Sequence, residues 1–229
     1  MTTAARATKT ALNEQFARIG KALASPRRIE LLDLLAQGEH SVELLAAAAD
    51  MSVTLASAHL QALRAARLVE TRRDGPRVLY RLAGDDVFEL LTAVRAVARV
   101  HLAELDQVVR GYFGAPEELR PIGRDELVRR ARAGELVVLD LRPRDEYGAA
   151  HIPGAISIPL GELEAQLALL PTHVEIAAYC RGPYCVMAPE GIALLRAHGH
   201  RARRLEDGVG EWRAAGLPVA VGSERGSWS

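Results

Sequence analysis

Two thiols five residues apart carry the sharpest chemical signal in this 229-residue chain. Cys180 and Cys185 are its two cysteines, too few for a disulfide framework, so the thiols read as reactive rather than scaffolding. Cys180 closes the apolar run Glu175-Ile176-Ala177-Ala178-Tyr179, and helical periodicity resumes at Cys185, which makes Arg181-Gly182-Pro183-Tyr184 a loop between strand and helix. A thiol at the carboxyl end of a parallel strand, facing a helix N-terminus, lies among inward-pointing N–H groups and a positive dipole end. Both favour thiolate and a bound anionic sulfur. Arg181 could add positive charge, Gly182 permits a tight loop, and Pro183 stiffens it while removing one donor. The alternative reading of Cys180 is a small buried hydrophobe beside a second cysteine.

The surrounding pattern supplies elements able to hold such a loop. Beyond Arg124, short apolar runs at Leu136 to Leu141, Ala155 to Ile158, Glu175 to Tyr179 and Ala202 to Leu205 alternate with helical segments near Asp125 to Ala133, Glu162 to Leu169, Cys185 to His198 and Gly208 to Ala215. Strand-helix alternation predicts a parallel α/β sheet. Upstream, apolar residues recur at helical spacing from Leu12 to Ala66. Ser25-Pro26 opens a helix through Leu35, Ser41 one through Ala49, and Ser52 one through about Ala66, with a tight turn at Asp50 and Met51. Leu68 to Arg73 and Arg77 to Leu82 flank Asp74-Gly75-Pro76 as a β-hairpin. A long helix is expected from Asp85 to about Tyr112, its stripe of Val87, Leu90, Leu91, Val94, Val97, Leu102, Leu105 and Val108 suited to burial in a partner subunit.

These signals divide the chain into residues 1–113, a Gly/Pro-bearing linker 114–122, a second domain 123–222 and a disordered tail 223–229. Basic and acidic side chains balance at 29 each, yet residues 1–84 carry a net +4 and the remainder −4. A mildly basic N-terminal half is compatible with DNA. No run of eighteen apolar residues and no secretory-type N-terminus occurs, so a cytoplasmic, non-membrane protein is expected.

On the helix opening at Ser52, Val53, Ala56, Leu60 and Leu63 fall on an inner face, while Thr54, Ser57, Ala58, Gln61 and Arg64 fall on an outer one. Small hydroxyl and amide side chains at a helix N-terminus suit entry into the major groove, with Arg72, Arg73, Arg77 and Arg81 on the hairpin meeting phosphates. A solvated helical bundle with an arginine-bearing hairpin fits the same composition. Residues 16–83, with their Ser-Pro-x-Arg helix start, Ser-x-His-Leu helix and hairpin ending Tyr-Arg-Leu, resemble the winged-helix domain of the arsenical-resistance (ArsR-type) repressors. That resemblance implies an α+β winged helix-turn-helix domain, a homodimer pairing through the 85–112 helix, a palindromic double-stranded operator and a DNA-facing His59. Metal-sensing relatives place a Cys-Val-Cys-type motif where this chain has His40-Ser41-Val42-Glu43. His101 and Glu104 resemble only half of the family's zinc site, so no metal or other cofactor is expected.

Residues 122–220 resemble a single-domain rhodanese through Val138-Leu139-Asp140-Leu141-Arg142, Glu146-Tyr147, His151-Ile152-Pro153-Gly154-Ala155, Tyr179-Cys180-Arg181-Gly182, Asp207-Gly208 and Trp212 to Pro218. The resemblance implies an α/β domain with a central parallel sheet and a persulfide on Cys180, taken from thiosulfate or a polysulfide and passed to a thiol acceptor. Backbone donors of Gly182, Tyr184, Cys185 and Val186 would cradle the anion, assisted by Arg181. Asp140, Arg142, Glu146 and His151 read as structural, for instance through an Arg142 to Glu146 pair. Two departures stand out: Ala150 replaces the usual glycine before His-Ile-Pro-Gly, and Cys185 stands where a polar residue is usual. Cys185 could resolve a Cys180 persulfide into a bridge. Phosphatase and arsenate-reductase loops, one residue longer with an arginine after, do not fit Val186. Three readings follow: a repressor that senses sulfur or redox state through Cys180, a sulfurtransferase with an autoregulatory DNA-binding half, and a metal-sensing repressor.

Overall fold

A computed structural model describes residues 2–113 and 121–226, so most of the expected linker and the last three residues of the expected tail lie outside the described residues. The chain forms two compact units, Met1–Ala93 and Val94–Ser229.

The first unit opens with α1 (Thr3–Leu23) and α2 (Pro26–Leu35), then a two-residue strand β1 (His40–Ser41), α3 (Val42–Ala48), α4 (Val53–Ala65) and the hairpin β2 (Val69–Asp74) and β3 (Arg77–Leu82). Pro26 starts α2 as expected, but the Ser25 hydroxyl makes no capping bond and its carbonyl accepts from Arg28 and Ile29 instead. Ser41 and Ser52 do cap, accepting from Leu44 N at 3.4 Å and Leu55 N at 3.2 Å. Asp50 takes the left-handed conformation (φ 46°) between α3 and α4, a position a short polar side chain tolerates, and so sets the tight turn. Leu31, Leu32, Leu45, Leu60 and Leu63 are at most 1% exposed and fuse α2, α3 and α4 into one core. In the hairpin, Asp74 pairs with Arg77 across the two-residue turn Gly75-Pro76, with Gly75 at φ 59°. β1, absent from the sequence reading, adds to β3 by pairing His40 with Tyr80 and Ser41 with Leu79.

Two expectations need correction. Val53 is 46% exposed rather than on the buried face, because it sits in the first turn of α4 before the helix meets the core; Ala56, Leu60 and Leu63 are buried as expected. The long helix is also two helices, α5 (Asp85–His101) and α6 (Ala103–Phe113). Leu102 N still donates to Ala98 O, but Leu105 N turns to Leu102 O in a tighter three-residue bond that interrupts the ladder.

The second unit continues with α7 (Arg124–Arg132), β4 (Leu136–Asp140), α8 (Arg144–Ala149), β5 (Ile156–Ser157), α9 (Leu160–Gln166), β6 (Glu175–Tyr179), α10 (Met187–Ala197), β7 (Ala202–Arg204) and α11 (Val209–Ala214). Its four strands are all parallel in the order β5-β4-β6-β7. Helices cover both faces: Leu127, Tyr147, Val209 and Trp212 pack on one, Leu163, Ile192 and Leu195 on the other. This explains why β6 is a continuous apolar run. Ile122, the last residue of the expected linker, is buried and bridges Leu205, and Arg225 in the expected tail accepts from Gly154 N through its carbonyl.

At the carboxyl ends of β4 and β6 lies a fully buried polar cluster. Arg142 Nη2 donates to Asp140 Oδ2 at 2.7 Å and to Ala150 O at 2.8 Å; Tyr179 OH donates to Asp140 Oδ2 at 2.5 Å and accepts from Ile152 N at 3.1 Å. Burial opposes the Arg142 charge, but Asp140, Tyr179 and Glu146 outweigh it and raise its basicity. Burial and the neighbouring Asp140 push the Tyr179 hydroxyl well above its ordinary range, so it stays a donor. His151, buried and stacked on Tyr147 with ring centroids 3.7 Å apart, donates from Nδ1 to Tyr147 O at 2.9 Å.

Removing one partner of this buried pair strands the other charge. Arg142→Met is expected to cost the second unit about 3–5 kcal/mol, read by denaturant unfolding through Trp212 fluorescence in a Trp228→Phe background. A shift under about 1 kcal/mol would contradict the assignment. At the amino end of β6, Glu175 bridges Arg130 (2.6 Å) and Arg203 (2.8 Å). Burial alone would raise its carboxyl, yet the hydrogen bonds from Arg203 and Arg130 hold it below 4.5. The unfolded chain therefore binds the proton more readily, so this stabilisation is present above pH 4.5 and is lost as pH falls through the lower folded value. Glu175→Gln is expected to flatten the acid limb of unfolding, measured as midpoint against pH; an unchanged slope would exclude the pair as a contributor.

Candidate functional site

Tyr179, fixed by Asp140, is followed directly by Cys180, which is 2% exposed at the carboxyl end of β6. The chain then turns through Arg181, Gly182 (φ 140°), Pro183 and Tyr184 to Cys185, and α10 begins at Met187, two residues later than expected. A disulfide joins Cys180 to Cys185 with their Cα atoms 6.4 Å apart, and Cys185 N donates to Gly182 O at 3.1 Å inside the closed loop.

Three neighbouring segments clamp the loop. Arg181 forks onto Glu146, with Nη2 at 2.6 Å and Nε at 3.0 Å from Oε1, and Glu146 is 2% exposed. Sequence reading placed Glu146 with Arg142; the forked partner it takes is Arg181, 35 residues away, while it stays near enough to Arg142 to favour that charge. Arg204, at the end of β7, donates from Nη1 to Pro183 O at 2.6 Å. Gly208 lets the segment after β7 press against the loop, since a Cβ there would fall 2.6 Å from the Arg181 carbonyl carbon and 2.7 Å from Gly182 N. Three residues on, Glu211 Oε2 accepts from Gly208 N at 3.0 Å and so starts α11. A Cβ on Gly182 would lie 3.2 Å from both Glu211 carboxylate oxygens, which places that carboxylate beside the middle of the loop. Burial pushes the Glu211 carboxyl up, opposed by backbone hydrogen bonds and by the charge of Arg95. Within the same unit the Arg95 guanidinium stands 5.9 Å from the Tyr184 ring centroid, and Tyr112 OH donates to Glu190 Oε1 at 2.9 Å.

Sequence reading singled out Cys180, Arg181, Gly182, Tyr184, Cys185 and Val186, which the structure brings together in this loop. Arg204 and Glu211 escaped it. Glu211 carried half of a capping signal, an acidic residue three positions after Gly208, which has no side chain to complete the box. Arg204 had none, because its role depends on strand order.

The other candidate surface lies in the first unit. Ser52, Thr54, Ala58, Gln61 and Arg64 on α4 are exposed, and Ser57 and His59 are half-buried. The Ser52 hydroxyl is occupied as the helix cap, and Gln61 Nε2 reaches Tyr80 OH at 3.4 Å. Arg72 lies on Glu39 at 2.7 Å and Arg81 on Glu70 at 3.1 Å, whereas Arg73 and Arg77 project from the hairpin with no ion pair at that range among the described residues. His101 and Glu104 fall on either side of the Leu102 break. Among the described residues no three His, Cys, Asp or Glu side chains form a metal-binding group, and no helix is long and apolar enough to cross a membrane.

Comparison with known proteins assigns both halves. Residues 25–71 match the bacterial regulatory protein, arsR family, and residues 123–215 match the rhodanese-like domain. Over 218 residues the chain is 52% identical to the HTH-type transcriptional regulator Rv0324 of Mycobacterium tuberculosis, spanning 95% of this chain and 96% of that protein. It is 43% identical over 77 residues to the biofilm growth-associated repressor of Agrobacterium fabrum, 34% of this chain and 66% of that one. A solved relative is the homodimeric winged helix-turn-helix DNA-binding domain (fragment 1–100) Mb0332 of Mycobacterium bovis, 55% identical with a TM-score of 0.40, covering 42% of this chain and 89% of that fragment.

If Gly208 sets the approach of α11 to the loop, Gly208→Ala is expected to displace the Arg181-Gly182 peptide at a cost of about 1–3 kcal/mol. It should also slow Cys180–Cys185 bridging in a thiol-disulfide exchange assay about tenfold or more. Wild-type stability and bridging rate in that variant would show that the contact does not shape the loop.

Proposed function

The chain belongs to the arsR-family HTH-type transcriptional regulators and carries a C-terminal rhodanese-like domain, and on that premise we propose that sulfane sulfur or oxidation at Cys180 sets its affinity for operator DNA. The observation that carries the reading is the second thiol: Cys185 lies on the same loop, bonded to Cys180 across a Cα separation of 6.4 Å.

The chemistry is a two-step exchange. The Cys180 thiolate attacks the sulfane sulfur of a donor, forming a new S–S bond as the donor's own S–S bond breaks and its remaining thiolate or sulfite departs with the electron pair. The Cys185 thiolate then attacks Cys180 Sγ and expels the transferred sulfur as hydrosulfide, so the two cysteines are oxidised and the sulfane sulfur is reduced. An external thiol can instead take the outer sulfur and return Cys180 to thiolate, the outcome a sulfurtransferase requires. Tyr184 lies inside the loop that the bridge closes and packs near Arg95 on α5, which gives the loop's state a route to that helix.

At the other end, α4 enters the major groove with Thr54, Ser57, Ala58, His59, Gln61 and Arg64 toward base edges and phosphates, while Arg73 and Arg77 meet the backbone. Ser52 holds the helix start, and Arg72 must leave Glu39 to reach a phosphate. Two copies pair through the exposed apolar positions Val97, Val100 and Val108 of α5 and α6 to read a two-fold operator. The protein then acts in the cytoplasm.

The test uses duplex DNA enriched from a random library by the reduced protein. Band shifts of wild type with and without polysulfide are expected to differ in affinity by about tenfold or more, with Cys180→Ala unresponsive. Equal binding in all arms would overturn the sensor reading. Turnover of sulfane sulfur to a thiol acceptor alongside that unchanged binding would point to the enzyme instead.

A further inference from the structure

The charges around the Cys180 loop are already matched, and that bears on which sulfur donor can reach the thiol. Arg181, the one cation in the loop sequence, is forked onto buried Glu146. Burial lowers the basicity of Arg204, which donates to Pro183 O, and the charge of Glu206 only partly offsets that. Glu211 adds a carboxylate whose two oxygens stand 3.2 Å from the Cβ position of Gly182. Two positions in the loop are closed to an anion: Pro183 has no N–H, and the Cys185 N–H is taken by Gly182 O. A sulfonate dianion would need surplus positive charge and several free N–H groups here.

Resting on the reading that Cys180 accepts sulfane sulfur, we propose that Glu211 and the Arg181–Glu146 pair make this loop select a hydropersulfide donor, R–S–SH, over thiosulfate. With a hydropersulfide, the Cys180 thiolate attacks the terminal sulfur, a Cys180 Sγ–S bond forms, the donor S–S bond breaks, and the thiolate R–S⁻ leaves with the electron pair; Cys180–S–SH keeps the proton. The leaving group carries a single negative charge. Thiosulfate must instead bring two negative charges past Glu211 and release a sulfite dianion beside it. Glu211 and Glu146 act here as specificity-determining residues, not as groups that touch the reacting sulfur.

The test is the rate of Cys180 persulfide formation in the full chain, read by alkylation and mass spectrometry at about pH 8, above the carboxyl range. Donors are cysteine hydropersulfide and thiosulfate at equal concentration, each against wild type and Glu211→Gln. Gln keeps an oxygen for Gly208 N and removes the charge. Wild type is expected to load about tenfold or more faster from the hydropersulfide, and Glu211→Gln to narrow that ratio about threefold or more by speeding thiosulfate alone. A second readout needs no variant: raising ionic strength should speed wild-type loading from thiosulfate more than from the hydropersulfide, because screening weakens repulsion. Equal loading from both donors, a ratio unmoved by Glu211→Gln, or thiosulfate loading slowed by salt each overturns the proposal. Loading from neither donor overturns the underlying reading of Cys180, and the donor preference falls with it.

Discussion

The buried pair of Asp140 and Arg142 is the interaction on which the second unit's site depends. Both side chains are 0% exposed, and Asp140 also accepts from Tyr179, the residue immediately before Cys180. A charge pair removed from water contributes little net stability, and its value lies in the geometry it enforces. Here Arg142 ties the end of β4 to Ala150 O, while Tyr179 OH accepts from Ile152 N, so the β4 end, the β6 end and the 150–152 turn are held to one another. The loop leaves β6 from a fixed point. Glu146, Arg204 and Gly208 then decide its course, each from a different element.

That arrangement separates two demands that conflict in a reactive thiol. The base of the loop is rigid, because the polar cluster beneath it is fully buried and hydrogen-bonded. The loop itself is short, glycine-containing and able to bring Cys185 to Cys180. Nucleophile and resolving thiol therefore share one seven-residue stretch, Cys180 to Val186. The first unit has the complementary design: its core fuses α2, α3 and α4, leaving the outer side of α4 and the hairpin arginines at the surface.

What the sequence made legible was what local spacing encodes. Pro26 marked a helix start, Asp50 a turn, the Glu175 to Tyr179 run a strand of a parallel sheet, and the Arg181 to Tyr184 stretch a strand-to-helix loop. What it hid depends on contacts far apart in the chain. β1 exists because His40 and Ser41 find β3, about as weak a local signal as a strand can give. The Arg181–Glu146 pair spans 35 residues, and a nearer partner for Glu146 stood in Arg142. The break at Leu102 carries neither proline nor glycine, and the apolar period runs through it unchanged. The N-terminal half of α1 was missed for the opposite reason: Thr3 to Thr10 is rich in alanine and forms helix by propensity, with no apolar stripe for periodicity to detect. Val53 has the right spacing for the inner face of α4 but lies before the core begins, which spacing alone does not register.

In the proposed function, the state of the Cys180–Cys185 loop is read at the DNA. The most direct measurement is the dissociation constant of one operator duplex, by fluorescence anisotropy, for the same protein preparation fully reduced and then fully bridged, with the bridge verified by intact mass. The two constants are expected to differ by about tenfold or more, and a Cys185→Ser protein to show no such difference under the same oxidant. Identical constants for the reduced and bridged forms would contradict it.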